Sequence, residues 1–402
     1  LRFGLLQSLV EQVITANLGG ERADRALATV LRTHRDLSSE ERKHVAEWSL
    51  GLALWRGRMD RLAQGNQALW FPLFLADRVK WPVDAVAAAT HVDAQALRNA
   101  LDTAAPSDPA EHVSFEYSLP NWLARRWVHQ LGVVRAARLA SAMNERGPIS
   151  IRVNTLRVTR EELMSRLAGE GVSARTSSLV DTGLRLDGRP NIVALPSWRE
   201  GLFEVQDEGS QLIAEAVSAQ PGETVIDLCA GAGGKTLALA AAMQNKGHLI
   251  AIEPDAQRLA DLSVRLKRAG VACVEPRRGD ARDPSTWSDV HGQADAVLVD
   301  APCSSLGTLR RGPDARWRLA ADEPERWAEL QWELVRAASQ LVRPGGRLVY
   351  ATCSIDPAEN EAVAQRAVES LPVKLEREHR TWPDIDGCDG FFWSVFSSVR
   401  TS

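Results

Sequence analysis

The chain has 402 residues, 45% hydrophobic and 25% charged, with a formal net charge of −4. This length predicts two or three domains, and the near-neutral charge excludes the overall basic character of many nucleic-acid binders, so any such contact must come from local patches. Apolar runs such as LALAAAM at 237–243 are far shorter than the ~20 residues of a membrane span; the opening LRFGLLQSLVEQ does not read as a secretory leader, and five cysteines without C-x-x-C spacing argue against a disulfide framework or closed zinc site and for a reducing, cytoplasmic setting.

Residues 1–105 read as an all-helical domain. Leu5, Leu6, Leu9, Val13 and Ile14, then Leu27, Val30 and Leu31, recur at helical spacing. Ser38 followed by Glu41 is a capping-box signal that predicts a helix through Leu62, with Val45, Trp48, Leu52 and Trp55 along its buried stripe. Pro106, Asp108 and Pro109 in a polar stretch predict a linker over 101–118. Helices are then expected over 119–132 and 136–144, a strand over 149–158, a helix over 160–171 and short strands to about 200. Residues 106–200 thus read as a linker and a small α+β domain.

From 201 to 402 strands and helices alternate. Strands are expected at 224–229, 248–253, 295–300 and 347–353, with helices at 233–243, 255–270 and 323–342 between them. Short continuous apolar strands separated by helices predict a buried parallel sheet in a doubly wound α/β fold. Two further strands, 373–376 and 391–396, close the chain.

The segment VIDLCAGAGGKT joins a strand to a helix through a glycine-rich turn, where glycines let the backbone approach a ligand. A Walker A loop fails because Cys229 stands where its first glycine belongs, and the G-x-G-x-x-G fingerprint fails because Thr236 stands where its third does. What remains is a short glycine turn with acids at strand ends. Glu253 ends the next strand, where a carboxylate accepts hydrogen bonds from a ribose. Asp280 follows the third strand, placed to border a base, and Asp300 ends the fourth.

Cys303 in DAPCSSLGT and Cys353 in YATCSIDPAEN each follow a strand end, so both are expected in one crevice. Cys273 and Cys388 have no such context, and Cys229 adjoins the glycine turn. Two basic runs stand out. Residues 308–318 hold four arginines against one aspartate, and 265–282 hold Arg265, Lys267, Arg268, Arg277, Arg278 and Arg282 against two acids. The second fits a solvated helix face as well as it fits an RNA contact.

DLCAGAGGKT, DAPCSSLGTLRRGPD and LVYATCSIDPAENE together resemble the Fmu/Sun (NOL/NSUN) family of RNA 5-methylcytosine methyltransferases, and FEVQDEGSQLIAEAV (203–217) and DGFFWSVF (389–396) match its flanking segments. IRVNTL (151–156) and PNWLARRW (120–127) extend the resemblance into the small domain. Residues 23–56 resemble the NusB-like RNA-binding domain of the bacterial 16S ribosomal RNA members. The resemblance implies a Rossmann-like methyltransferase core using S-adenosylmethionine, preceded by the small α+β and NusB-like domains. It implies 16S ribosomal RNA or a small-subunit precursor as partner, with no membrane and no metal. The near-neutral chain reads as a monomer. A transfer-RNA cytosine methyltransferase and a non-catalytic RNA-binding assembly factor are the alternatives.

By the family's pattern Cys353 is the nucleophile, Cys303 aids product release, and Lys235 and Asp300 complete the active site. The cofactor falls to Cys229, Ala230, Gly231, Ala232, Gly233, Gly234, Lys235, Glu253, Arg258, Asp280 and Asp300. RNA contacts fall to Arg310, Arg311, Arg316, Arg152 and Asn154. Cytosine carbon 5 is a poor nucleophile until a thiolate adds to carbon 6, which is why such an enzyme needs a cysteine. One departure is that the loop reads A-G-A-G-G-K, where the family usually has A-A-P-G-G-K. Loss of the proline makes the turn less rigid, while glycine keeps it open, so cofactor binding is expected to survive.

Overall fold

The computed structural model describes residues 2–399. The chain divides into two compact units. One runs from the N-terminus to Arg146 and includes Leu309–Ala321; the other comprises Gly147–Thr308 and the chain from Asp322 onward.

The first unit is helical. Its helices include Phe3–Leu18, Ala23–Thr33 and Ser39–Leu62, and it continues through Asn121–Leu131 and Val133–Ala142. Leu6, Leu9, Val13, Val45, Trp48, Leu52, Phe71 and Leu73 lie in its core. The expected capping box is present: the Ser38 side chain accepts from the Glu41 amide, and Glu41 accepts from the Ser38 amide at 2.9 Å. Trp55 is only partly buried, with the Arg78 guanidinium 3.5 Å over its ring. The expected linker is instead partly helical, over Pro109–Tyr117. Asp108 caps it by accepting from the Glu111 amide at 2.9 Å, and Pro109 occupies the first turn, where its missing N–H costs nothing.

Leu309–Ala321 reaches this unit from far along the chain and is anchored by buried groups. The Arg316 guanidinium is 0% exposed. It donates to the carbonyls of Met143 (3.0 Å), Tyr117 and Ser118 (both 3.3 Å) and to Asn144 Oδ1 (2.7 Å). Trp317 donates through Nε1 to the Ala53 carbonyl at 3.1 Å, and its ring occupies the space a Cβ on Gly57 would need, 2.2 Å away. The expectation that Arg316 contacts RNA is corrected here: its charge is spent on backbone carbonyls inside the fold.

The second unit contains two sheets. β1 (Ile149–Val153), β2 (Ala174–Thr176), β3 (Gly183–Leu186) and β4 (Phe203–Val205) form an antiparallel sheet in the order β2-β3-β1-β4. Leu163 and Leu167 of the helix Arg160–Gly169 pack with Ile151, Val153, Leu184 and Phe203. β1 ends five residues earlier than expected because Asn154 starts a turn: its carbonyl accepts from the Arg157 amide at 3.0 Å. Arg152 and Asn154 are also corrected as RNA contacts. Both are buried. Arg152 donates to Gln206 Oε1 at 2.7 Å, and Asn154 Nδ2 donates to the carbonyls of Gly201 (2.8 Å) and Ala269 (2.9 Å).

The larger sheet comprises β5 (Thr224–Asp227), β6 (His248–Glu253), β7 (Val274–Arg278), β8 (Ala294–Asp300), β9 (Val342–Thr352), β10 (Val373–Thr381) and β11 (Phe391–Ser398), in the order β10-β11-β9-β8-β5-β6-β7. β5 to β9 are mutually parallel; β11 runs antiparallel to β9 and to β10. Alternate residues feed opposite faces, so Ile226, Ile250, Val297 and Tyr350 line one core and Val225, Leu249, Leu298 and Val349 the other. Both faces are covered, as the unbroken apolar strands require. The order in which strands are added reverses between β5 and β8. Ligands bind at such a switch point, beyond the carboxyl ends of the strands.

Candidate active site

A crevice of about 680 Å³ opens at this switch point, lined by the turn after β5, the ends of β6 and β8 and both cysteine loops. Cys229, Ala230, Gly231, Ala232, Gly234, Lys235, Glu253, Arg258, Asp280, Asp300, Cys303 and Cys353 all face it. Gly233 does not. It precedes the helix Gly234–Ala242 at φ +87°, and a Cβ there would lie 2.2 Å from Leu262 Cδ1. Its role is to let the turn press on the next helix.

The turn is not built for a phosphate. The Gly231 amide, at φ +54°, donates to Glu253 Oε2 at 2.9 Å instead of facing an anion. Glu253 also accepts from the Asp255 amide at 2.9 Å and is buried, yet it lines the crevice with open acceptor capacity. A Cβ on Gly231 would meet nothing within 4 Å, so the turn leaves free space for a ligand. Three carboxylates, Glu253, Asp280 and Asp300, suit hydroxyls, an amine or a cation, not an anion. Asp280 is paired with Arg282 at 2.7 Å.

At the other end Lys235 Nζ lies 2.6 Å from Asp300 Oδ2, and 5.8 Å from the centre of the Phe391 ring. The Cys303 and Cys353 sulfurs are 3.2 Å apart, and Cys353 Sγ is 3.4 Å from Ser305 Oγ. Hydrogen bonds with Cys303 and Ser305 draw the Cys353 thiol below its ordinary value, against burial. The Cys303 thiol is pushed well above its own by the bond with Cys353, by burial and by the charges of Cys353 and Glu359. The structure thus differentiates two similar thiols: Cys353 is the readier thiolate.

Other residues serve the site in ways the sequence did not indicate. Arg265 Nη1 donates to the Ala232 carbonyl at 2.6 Å and pairs with Glu204 of β4 at 2.9 Å, bracing the cofactor turn from outside. Arg268 pairs with the same carboxylate. Much of the basic run at 265–282 is therefore paired within the chain, since Arg277 also pairs with Glu275 and Asp289, and Arg282 with Asp280 and Glu333, while Lys267, Arg278 and Arg282 are exposed. Asp227, at the end of β5, accepts from Thr236 at 2.7 Å through Oδ2, while its Oδ1 has no partner among the described residues. Burial pushes its carboxyl up to about 7. Of the remaining expected RNA contacts, Arg310 is partly buried and Arg311 exposed, both in the helical unit.

The family model "16S rRNA methyltransferase RsmB/F" matches residues 214–397, and an RsmF/B-like ferredoxin-like domain matches 119–193. A probable ribosomal RNA small subunit methyltransferase B of Synechocystis is 35% identical over 66% of this chain and 58% of its own length. The corresponding Klebsiella pneumoniae protein is 33% identical over 72% of this chain and 68% of its own. The chain thus spans well under two thirds of the Synechocystis relative. The crystal structure of PH0851 aligns with a TM-score of 0.81 at 29% identity, covering 97% of this chain and 98% of that one.

Proposed function

The chain belongs to the RsmB/F family of 16S ribosomal RNA methyltransferases, and from that footing we propose that it methylates carbon 5 of a cytosine in 16S ribosomal RNA, with Cys353 as nucleophile. The observation that carries this reading is the meeting of two thiols 3.2 Å apart with a lysine–aspartate pair at one crevice.

S-adenosylmethionine, when bound, supplies an electrophilic methyl group. Its ribose falls to Glu253, its adenine side to Asp280, and the remainder to the turn 229–234, whose carboxylate-rich surroundings and open Gly231 fit that ligand. The target base must leave its stack to enter the crevice. The Cys353 thiolate then adds to carbon 6, making carbon 5 enamine-like. As negative charge develops at the ring nitrogen, Asp300 in its protonated form donates its proton there, and Lys235 beside it stabilises the carboxylate left behind. Once carbon 5 is methylated, a base takes its proton and the Cys353–carbon 6 bond breaks. Cys303 donates a hydrogen bond to the departing thiolate and so speeds release. Arg310 and Arg311 are the remaining candidates for flanking phosphates, and the helical unit serves as a NusB-like RNA-binding module.

Bisulfite sequencing of RNA from cells with and without the protein tests the reading. One protected cytosine in 16S RNA should become convertible when the protein is lost. Wild type should restore protection, and Cys353→Ala should not, although it still binds the cofactor. Cys303→Ala should accumulate a covalent protein–RNA adduct. Full protection by Cys353→Ala refutes the nucleophile assignment; protection lost only at a transfer-RNA site refutes the substrate.

A further inference from the structure

Behind the two thiols lies a carboxylate that the reaction above does not use. Glu359 is 0% exposed, and four hydrogen-bonding groups converge on its side-chain oxygens. Oε2 accepts from the Ser304 amide at 2.8 Å and from Gln331 Nε2 at 3.1 Å. Oε1 accepts from Ser354 Oγ at 2.6 Å and from Ser304 Oγ. Ser304 follows Cys303 and Ser354 follows Cys353, so one side chain grips both cysteine loops. Further bonds close the cluster: Gln331 Nε2 also donates to the Pro302 carbonyl at 3.0 Å, and the Tyr350 hydroxyl reaches Gln331 Oε1 at 3.0 Å and the Glu359 carbonyl.

Two N–H donors and two hydroxyls on two oxygens are the arrangement an ionised carboxylate, an acceptor-only group, is best suited to receive. Burial pushes the carboxyl above its ordinary value, and the hydrogen bonds from Ser304, Ser354 and Gln331 work against that push, in favour of the charged form. The grip is unequal. Glu359 takes the main-chain N–H of Ser304, whereas the Ser354 N–H goes to Thr352 Oγ1 at 3.2 Å. The negative charge therefore bears on the Cys303 side.

We infer that Glu359 is a positioning residue for the two thiols: its carboxylate locks the cysteine loops at sulfur–sulfur contact, and its charge leaves their shared proton on Cys303, so that Cys353 is the thiolate. The other charged and titratable groups facing the pair are Lys235 and Asp300 at Cys353 and Tyr350 at Cys303. They remain in place in the variants below. The inference rests on the reading of Cys353 as the attacking thiol, but its test needs neither RNA nor methyl transfer.

The test is alkylation of the full chain by iodoacetamide across pH 6–10, each cysteine quantified by peptide mass spectrometry. In wild type at pH 7, Cys353 should react at least tenfold faster than Cys303. Glu359→Gln presents an amide N–H₂ to donors and removes the charge, so the preference should collapse by about tenfold, with Glu359→Asp restoring part of it. Circular dichroism and melting confirm that the variants fold. If Glu359→Gln does not fold, Ser354→Ala carries the test, because it keeps the charge and loosens only the Cys353 loop; a drop in the preference of at least threefold is then expected. A folded Glu359→Gln, or failing that a Ser354→Ala, with the wild-type alkylation profile of both cysteines overturns the inference. Failure of the nucleophile assignment would show separately, as methylation retained by Cys353→Ala.

Discussion

Replacing Arg316 by methionine separates two readings of one residue. An arginine on an RNA surface contributes to binding and little to stability. Arg316 instead donates to three carbonyls and one side-chain amide inside the helical unit. Tyr117 keeps another donor, Asn144 Nδ2, at 2.9 Å, so methionine leaves two buried acceptors, the Ser118 and Met143 carbonyls, and the half-buried Asn144 Oδ1 without this donor. Each costs about 1–3 kcal/mol. Release of the desolvated guanidinium offsets part of that, leaving a net loss of about 3 kcal/mol. For a unit of this size the melting temperature should fall by roughly 6–12 °C. Scanning calorimetry reads the melt, and RNA affinity against salt reads the phosphate contacts, with exposed Arg311→Met as the control. The control should lower the salt slope by about one. An Arg316→Met protein that melts as wild type and loses salt slope would refute the buried role.

Two further outcomes are expected. At the cofactor turn, Gly233→Ala forces a side chain into positive φ and against buried Leu262, so about 1–3 kcal/mol of stability and at least tenfold in cofactor affinity should be lost. Gly231→Ala also enters positive φ but meets nothing within 4 Å, so only the backbone strain of about 1–2 kcal/mol should be lost; a melt of the cofactor-free chain that falls further for Gly231→Ala than for Gly233→Ala would contradict the geometry. The Asp227 carboxyl, pushed up to about 7 by burial, holds its proton in the folded chain after the unfolded chain has released it near pH 3.9. Its contribution to stability is full below that pH and lost as pH rises towards 7, by about 4 kcal/mol at most. Asp227→Asn without cofactor should therefore melt above wild type, by a margin wider at pH 8.5 than at pH 5.5; a margin that narrows with pH would be evidence against it.

Much of the crevice's lining was legible along the chain because it sits in short strand-to-loop motifs. Asp300, Cys303 and Cys353 lie at or just past strand ends and Lys235 in the first turn of the helix after β5, and a parallel sheet brings strand ends to one edge whatever the details of packing. The capping box at Ser38 and Glu41 was local in the same way. The linker expected at 101–118 failed on a local ambiguity: aspartate then proline can break a chain or begin a helix, and Pro109 begins one.

What only the tertiary structure decided is where charges are spent. An arginine's place in the sequence does not say whether water or a buried carbonyl receives its protons, because the receiving atoms lie far away along the chain. Arg316 meets Met143, Arg152 meets Gln206, and Arg265 meets Glu204 and the Ala232 carbonyl. Glu359 is the same lesson with the sign reversed. In the sequence it is one acid in a polar loop; in the fold, donors from both cysteine loops converge on it, and burial makes their number and direction matter.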